Sequence, residues 1–217
     1  MREPERDPRR ADREDAVVVV GLGGSLAERS TSLAALRIAL AGAAESGART
    51  DLLDLRALDL PMFAPGAPPT PPVDRLCETV AGADGLIWAS PLYQGTISGS
   101  FKNALDWLQL LGRRTPPYLT DRVVGLISTA GGTQGLQAVN TMEFSVRALR
   151  GWAVPLVIPI SKSWQAFDDA GNLREEEIGE HLRALGREVA RAARQFRSRP
   201  LTTPEAEQAE KDLQPLR

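Results

Sequence analysis

The chain has 217 residues, a formal net charge of −2 and 42% hydrophobic residues. That suffices for one domain with a full core, and the balance leaves no basic footprint for nucleic acid and no polybasic patch for a membrane surface. One cysteine, Cys77, excludes an intrachain disulfide and suits a reducing, cytoplasmic compartment, and no apolar run approaches the ~20 residues that span a bilayer.

Residues 1–15 are mostly Arg, Asp and Glu with two prolines. They lack the apolar centre of a signal peptide and are expected to form a disordered arm. The folded domain is expected over 16–196, followed by a polar tail over 197–217. The domain opens with a run from Ala16 to Ser25 that continues through Ser32. Val17 to Val20 read as a strand buried on both faces. Gly21, Gly23 and Gly24 permit a sharp turn. Leu33, Leu36, Leu40 and Ala43 recur at helical spacing. Ser25, Ser30, Thr31 and Ser32 stand where that helix begins, and a helix N-terminus suits an anion through its unpaired N–H groups and partial positive charge. The dinucleotide fingerprint needs a third glycine where Leu26 stands, and a P-loop needs a lysine that this turn lacks. What remains is a phosphate held by hydroxyls and main-chain amides, as suits the monoester of FMN in a flavodoxin-like sheet. A turn whose hydroxyls only cap the helix is the alternative.

A second strand is expected over 49–55. Six prolines between Pro61 and Pro72 then exclude helix and central strand. Leu76, Cys77 and Val80 mark the inner face of a short helix over 73–83, with Cys77 as a small core residue. Gly85 to Ser90 is the third strand, ending in the turn Pro91-Leu92-Tyr93-Gln94-Gly95. Phe101, Ala104, Leu105 and Leu108 make a helical stripe. Arg122 to Ser128 is the fourth strand, followed by a glycine-rich stretch over 129–135. Leu136, Val139, Met142, Val146 and Leu149 mark the next helix. The fifth strand, Leu156 to Ile160, is made an edge by Pro155 and Pro159. Ile178, Leu182, Leu185, Val189 and Phe196 give a closing helix.

Strands alternating with helices imply a doubly wound α/β fold with a parallel sheet, and five strands with the first loop binding phosphate suggest the order 2-1-3-4-5. Ligands of such sheets sit beyond the strand C-termini, where the loops after strands one, three and four emerge. The first supplies a phosphate cradle. Leu92 and Tyr93 offer flat contacts for an isoalloxazine, and Gly131, Gly132 and Gly135 let main chain approach the ring edge. Donors there stabilise the negative charge of reduced flavin. Each loop also has a plain reading as a turn. Trp88 and Trp107 read as core or interface residues. The only histidine, His181, lies on the closing helix, which argues against His-based triads and His-rich metal sites. No nucleophile elbow is present.

Gly23-Gly24-Ser25 with Ser30 and Ser32, the block Ser90 to Leu108, and the run Thr129 to Gly135 together resemble the NAD(P)H-dependent FMN reductase family, of flavodoxin-like fold. The later segment Phe167 to Leu173 is similar to it as well. The resemblance implies FMN phosphate at Ser25, Ser30, Thr31 and Ser32. Many members carry an arginine where this chain has Ala27; either Arg29 substitutes from the next turn or the phosphate lacks a cation. It implies the ring against Pro91, Leu92, Tyr93, Gln94 and Gly95 and against Thr129, Ala130, Gly131 and Gly132. It also implies NADPH or NADH as co-substrate and a homodimer or homotetramer, with a flavin-dependent monooxygenase as an expected partner. The expected activity passes hydride from the nicotinamide to FMN and on to free flavin, a quinone, an azo compound or a metal oxyanion. A non-enzymatic flavodoxin-type carrier is the alternative, and a scaffold without FMN a third. Arg56, Arg113 and Arg114 are candidates for a 2′-phosphate.

Overall fold

The structure, a computed structural model, describes residues 16–168, 170–198 and 208. The arm expected over 1–15 lies outside the described residues, as does the expected tail apart from Arg197, Ser198 and Gln208. Six strands form one sheet. β1 (Val18–Gly23) pairs in parallel with β2 (Arg49–Asp54) on one side and β3 (Gly85–Tyr93) on the other. β4 (Thr96–Ile97) turns back antiparallel on the end of β3. β5 (Val123–Thr129) and β6 (Trp152–Ile160) complete the parallel set. The order is β2-β1-β3-β5-β6 with β4 beside β3 alone. The five parallel strands therefore keep the expected order, and β4 is the addition.

The helices cover both faces, as right-handed crossovers require. They are α1 (Thr31–Glu45), α2 (Leu55–Leu58), α3 (Pro71–Ala81), α4 (Gly99–Trp107), α5 (Leu136–Ala148), α6 (Ser163–Ala166) and α7 (Glu176–Arg197). A 3₁₀ turn, Leu108–Arg113, continues α4. Alternate residues of the central strands feed two cores. Trp88, Leu126, Phe101 and Met142 join one with α3, α4 and α5, whereas Ile87, Ile127, Leu36 and Leu185 join the other with α1 and α7. Each such large side chain contributes about 1.5–3 kcal/mol by leaving water. α1 and α7 cross at glycines: a Cβ on Gly186 would stand 1.9 Å from the Ala39 carbonyl oxygen, and one on Gly42 2.3 Å from that of Arg183.

Several boundaries differ from the sequence expectation. The helix expected from Val73 begins at Pro71, because prolines at N1 and N2 carry no N–H that the first turn needs. β3 runs on through Pro91 to Tyr93, so three residues read as loop are strand. β6 begins at Trp152, with a register shift between Val124 and Leu126 of its neighbour. It is the sheet edge, with Pro155 and Pro159 both exposed. Leu136, placed on the inward stripe of its helix by spacing, is 51% exposed. Trp88, Trp107 and Cys77 are core residues as expected. No helix among the described residues is long and apolar enough to cross a membrane.

Candidate functional site

Parallel strands deliver their C-terminal ends to one edge of the sheet. Gly23 stands level with Ala89, Pro91 with Thr129, and Thr129 with Ile160. The loops after β1, β3 and β5 therefore meet, in the crevice where doubly wound sheets bind ligands.

The first loop is a main-chain construction. A Cβ at Gly23 would lie 2.1 Å from the Ala89 carbonyl oxygen, so only glycine lets β1 leave the sheet there. The Gly24 amide donates to that same oxygen at 3.1 Å. Ser25 is buried, and its Oγ accepts from the Ala27 amide at 3.3 Å. Ser30 is the N-cap of α1: its Oγ accepts from the Leu33 amide at 3.2 Å and shares a hydrogen bond with Ser32 Oγ at 3.0 Å. Capping is thus the role that Ser30 already fills. The amides of Thr31 and Ser32 find no acceptor among the described residues, and the first turn carries no acidic side chain. A 15-residue helix presents its positive end there. Ala27 and Arg29 are exposed on the intervening turn, and Glu28 pairs with Arg56 at 3.4 Å.

In the second loop Gln94 (φ 49°) and Gly95 (φ 80°) are the two central residues of a hairpin. Both are left-handed, as the type I′ turn matching strand twist demands. Pro91 is buried, Leu92 half-buried and Tyr93 exposed. In the third loop Thr129 is buried, and its Oγ1 has no hydrogen-bond partner among the described residues. Ala130 is tied to β6 through its amide to the Ile160 carbonyl at 2.9 Å, and its own carbonyl accepts from the Ser163 amide at 2.9 Å. The Gly132 carbonyl accepts from the Lys162 amide at 2.9 Å. Gly131 and Gly132 are exposed, take no left-handed conformation, and would meet nothing within 4 Å on gaining a Cβ. Neither packing nor backbone conformation calls for glycine at these two positions. Gly135 differs: it is buried at the head of α5, with its carbonyl accepting from Ser128 Oγ at 2.6 Å.

The predicted site residues of the three loops are thus gathered at one sheet edge. The arginines singled out for a 2′-phosphate are not gathered: Arg56 lies by the first loop, whereas Arg114 pairs with Glu78 of α3. Phe167 and Leu173 form an isolated antiparallel bridge. The Asp168 carboxylate accepts from Ala170 and Asn172 and is held below the usual carboxylate range, chiefly by the Asn172 side chain and amide. Sequence reasoning missed the contact of residues 160–163 with the third loop and the two serines beneath the loops, Ser90 and Ser128.

Helix amides without an acceptor among the described residues, two open glycines and a type I′ hairpin meet at the C-terminal edge of a flavodoxin-like sheet, and these residues fit the phosphate and ring of FMN. Solved structures agree on the fold: RosB, crystallised with a riboflavin-5′-phosphate derivative, superposes with a TM-score of 0.71 at 17% identity, covering 91% of this chain and 87% of that one. FerB from Paracoccus denitrificans, an NAD(P)H:acceptor oxidoreductase, gives 0.67 at 18% identity over 83% of this chain and 99% of that one. The family model for NADPH-dependent FMN reductases matches residues 17–165, and the chain belongs to that family. An NAD(P)H-dependent FMN reductase of Pseudomonas aeruginosa is 31% identical over 182 residues, 79% of this chain and 94% of that one. The NADPH-dependent FMN reductase ArsH of Acidithiobacillus ferrooxidans is 33% identical over 128 residues, 59% of this chain and 53% of that one. The aligned segment thus spans about half the length of that ArsH relative.

Proposed function

We propose that the chain is an NAD(P)H-dependent FMN oxidoreductase. The observation that carries this reading is the convergence of the three loops. One ends in unpaired helix amides at Thr31 and Ser32, and one carries open glycines at 131 and 132. The residues divide the work. Helix amides and the Thr31 side chain hold the phosphate, with the buried Ser32 hydroxyl bonded to the Ser30 cap behind them. The hairpin over 91–95 supplies one wall of the ring slot through Leu92 and Tyr93. The main chain of 129–132 faces the ring edge with donors fixed before binding, which is electrostatic preorganisation. Hydride chemistry belongs to the flavin when bound, and no side-chain acid or base is needed for it. Relatives named as NADPH:quinone oxidoreductase in Arabidopsis thaliana and FMN-dependent NADPH-azoreductase in Staphylococcus haemolyticus favour a quinone or azo compound as the acceptor class. Titration of the purified protein with FMN, followed by NADPH oxidation with menadione as acceptor, tests the reading. Quenching of FMN fluorescence together with turnover supports an enzyme. Binding without turnover leaves the carrier alternative, and no binding removes both.

We further propose a homodimer through the α4 and α5 face. Met62, Leu110, Leu136 and Phe144 are exposed large apolar side chains on or beside these helices, and burying them between two copies would remove them from water. Sedimentation equilibrium is expected to give twice the chain mass, and Phe144→Arg to shift it toward the monomer.

A further inference from the structure

The loops after β3 and β5 rest on the same kind of support. Ser90 and Ser128 are register partners at the ends of the two central strands, and both are fully buried. Their parity puts them on the face that carries Trp88 and Leu126. Ser90 Oγ accepts from the Ser98 amide at 3.0 Å and donates to the Pro91 carbonyl at 3.0 Å. Ser98 is the N-cap of α4, its own hydroxyl accepting from the Phe101 amide at 3.2 Å. Ser128 Oγ donates to the carbonyl of Gly135, the N-cap of α5, at 2.6 Å. Each hydroxyl therefore joins the end of a strand to the head of the helix that follows. Each closes the loop between them, 91–97 in one case and 129–134 in the other. The loop after β1 has no counterpart among the described residues: its strand ends in glycine, and there Ser25 Oγ accepts from the Ala27 amide.

We propose that Ser90 and Ser128 are a matched pair of positioning residues that hold the two ring loops at their cofactor-binding separation before the flavin arrives. This rests on the reading above that the ring lies against 91–95 and 129–132. Neither hydroxyl is exposed, so each acts through the main chain it pins. A loop fixed in advance avoids the ordering cost of binding, and donors on rigid supports act without reorganisation. Removal of the Ser90 hydroxyl leaves the Ser98 amide without an acceptor among the described residues in a buried place, where that loss is felt most; removal of the Ser128 hydroxyl takes one donor from the Gly135 carbonyl, which keeps the Ala138 amide at 3.2 Å, and unties β5 from the head of α5. The consequence differs from a simple loss of stability. The ring is affected and the phosphate is not, so FMN and riboflavin suffer alike.

The test compares wild type with Ser90→Ala, Ser128→Ala and Ser90→Thr, which keeps the hydroxyl on a β-branched frame. Dissociation constants for FMN and riboflavin are measured by fluorescence quenching, with the visible circular dichroism of the bound flavin and the Tm of each protein. Each alanine variant is expected to raise both dissociation constants about ten-fold and to alter the flavin dichroism, and Ser90→Thr is expected to restore both. Folded alanine variants with a lowered Tm, dissociation constants within about twofold of wild type and unchanged dichroism would overturn the proposal. Should alanine prevent folding, Ser90→Cys and Ser128→Cys carry the test as near-isosteres with a weak donor. Weakened binding by them supports the pair, and wild-type binding overturns it. Wild-type protein that binds neither flavin would fail at the first titration, before any variant, and would identify the earlier reading as the error.

Discussion

Ala27 stands two residues beyond Ser25 on an exposed turn, close to the head of α1. The family resemblance expects an arginine there. The helix end supplies only partial charge through its amides, and Glu28 pairs with Arg56 nearby. Ala27→Arg is therefore expected to tighten FMN about fivefold, some 1 kcal/mol for an exposed charge-assisted hydrogen bond. Riboflavin, which has no phosphate, is expected to bind as before. Equal gains for both ligands would place the monoester elsewhere. Cys77 shows the opposite case, a residue with no ligand to meet. Burial pushes its thiol up to about 11 from 9.0, with Arg114 pulling weakly the other way, and its Sγ points at the Trp107 carbonyl, 3.7 Å away. The folded value lies above the unfolded one, so the stability contributed by the neutral thiol is fully present below pH 9.0 and is lost as pH rises through about 11. Denaturant unfolding between those limits is expected to show a pH slope that Cys77→Ala reduces. Rapid labelling of the native thiol near pH ~8 would contradict the burial that causes it.

At the scale of elements the closest packing lies between α1 and α7, where Gly42 and Gly186 let two helix backbones touch. A methyl group at Gly186 would overlap the Ala39 carbonyl oxygen at 1.9 Å, and a backbone cannot turn aside as a side chain does. Gly186→Ala is expected to destabilise by about 3 kcal/mol, at the upper end for overpacking. For a chain of this size that lowers Tm by about 6–12 °C, read by calorimetry. An unchanged Tm would mean that the helices separate at no cost. This contact was not legible in the sequence, because a glycine in a helical pattern reads only as a weak helix former. The helices themselves were legible, since Leu36 and Leu40, or Leu182 and Leu185, repeat at the period of a buried stripe. The missed strand residues have a similar cause. Pro91 reads as a stop, yet it occupies the last rung of the β3–β5 ladder, level with Thr129, where a strand tolerates a missing donor. The hairpin was visible as a turn at Gln94 and Gly95, but β4 is only two residues long and leaves no alternating pattern.

For the whole molecule, strand order followed from the alternation of strands and helices together with the phosphate reading of the first loop, and with it the meeting of three sequence-distant loops at one edge. The candidate site was legible to the extent that topology places it. Which hydroxyls face the ligand and which serve the frame was not, because that depends on side-chain direction at Ser30 and Ser90. The same topology makes cofactor binding a property of the entire fold: the three loops leave three different strands, so a ligand that bridges them binds the native chain and not the unfolded one. FMN at about 100 times its dissociation constant should then stabilise by about 2.7 kcal/mol, which raises Tm by about 5–11 °C for a chain of this length. At equal free concentration riboflavin should give a smaller shift, since it cannot engage the amides of Thr31 and Ser32. The FMN increment should also shrink at ~1 M salt, because charge at a helix end is screened there, whereas the riboflavin shift should not. Thermal scans with both flavins at low and high salt measure these four shifts. Identical shifts for the two flavins would mean that the head of α1 holds no phosphate, and that the ring loops alone bind the cofactor.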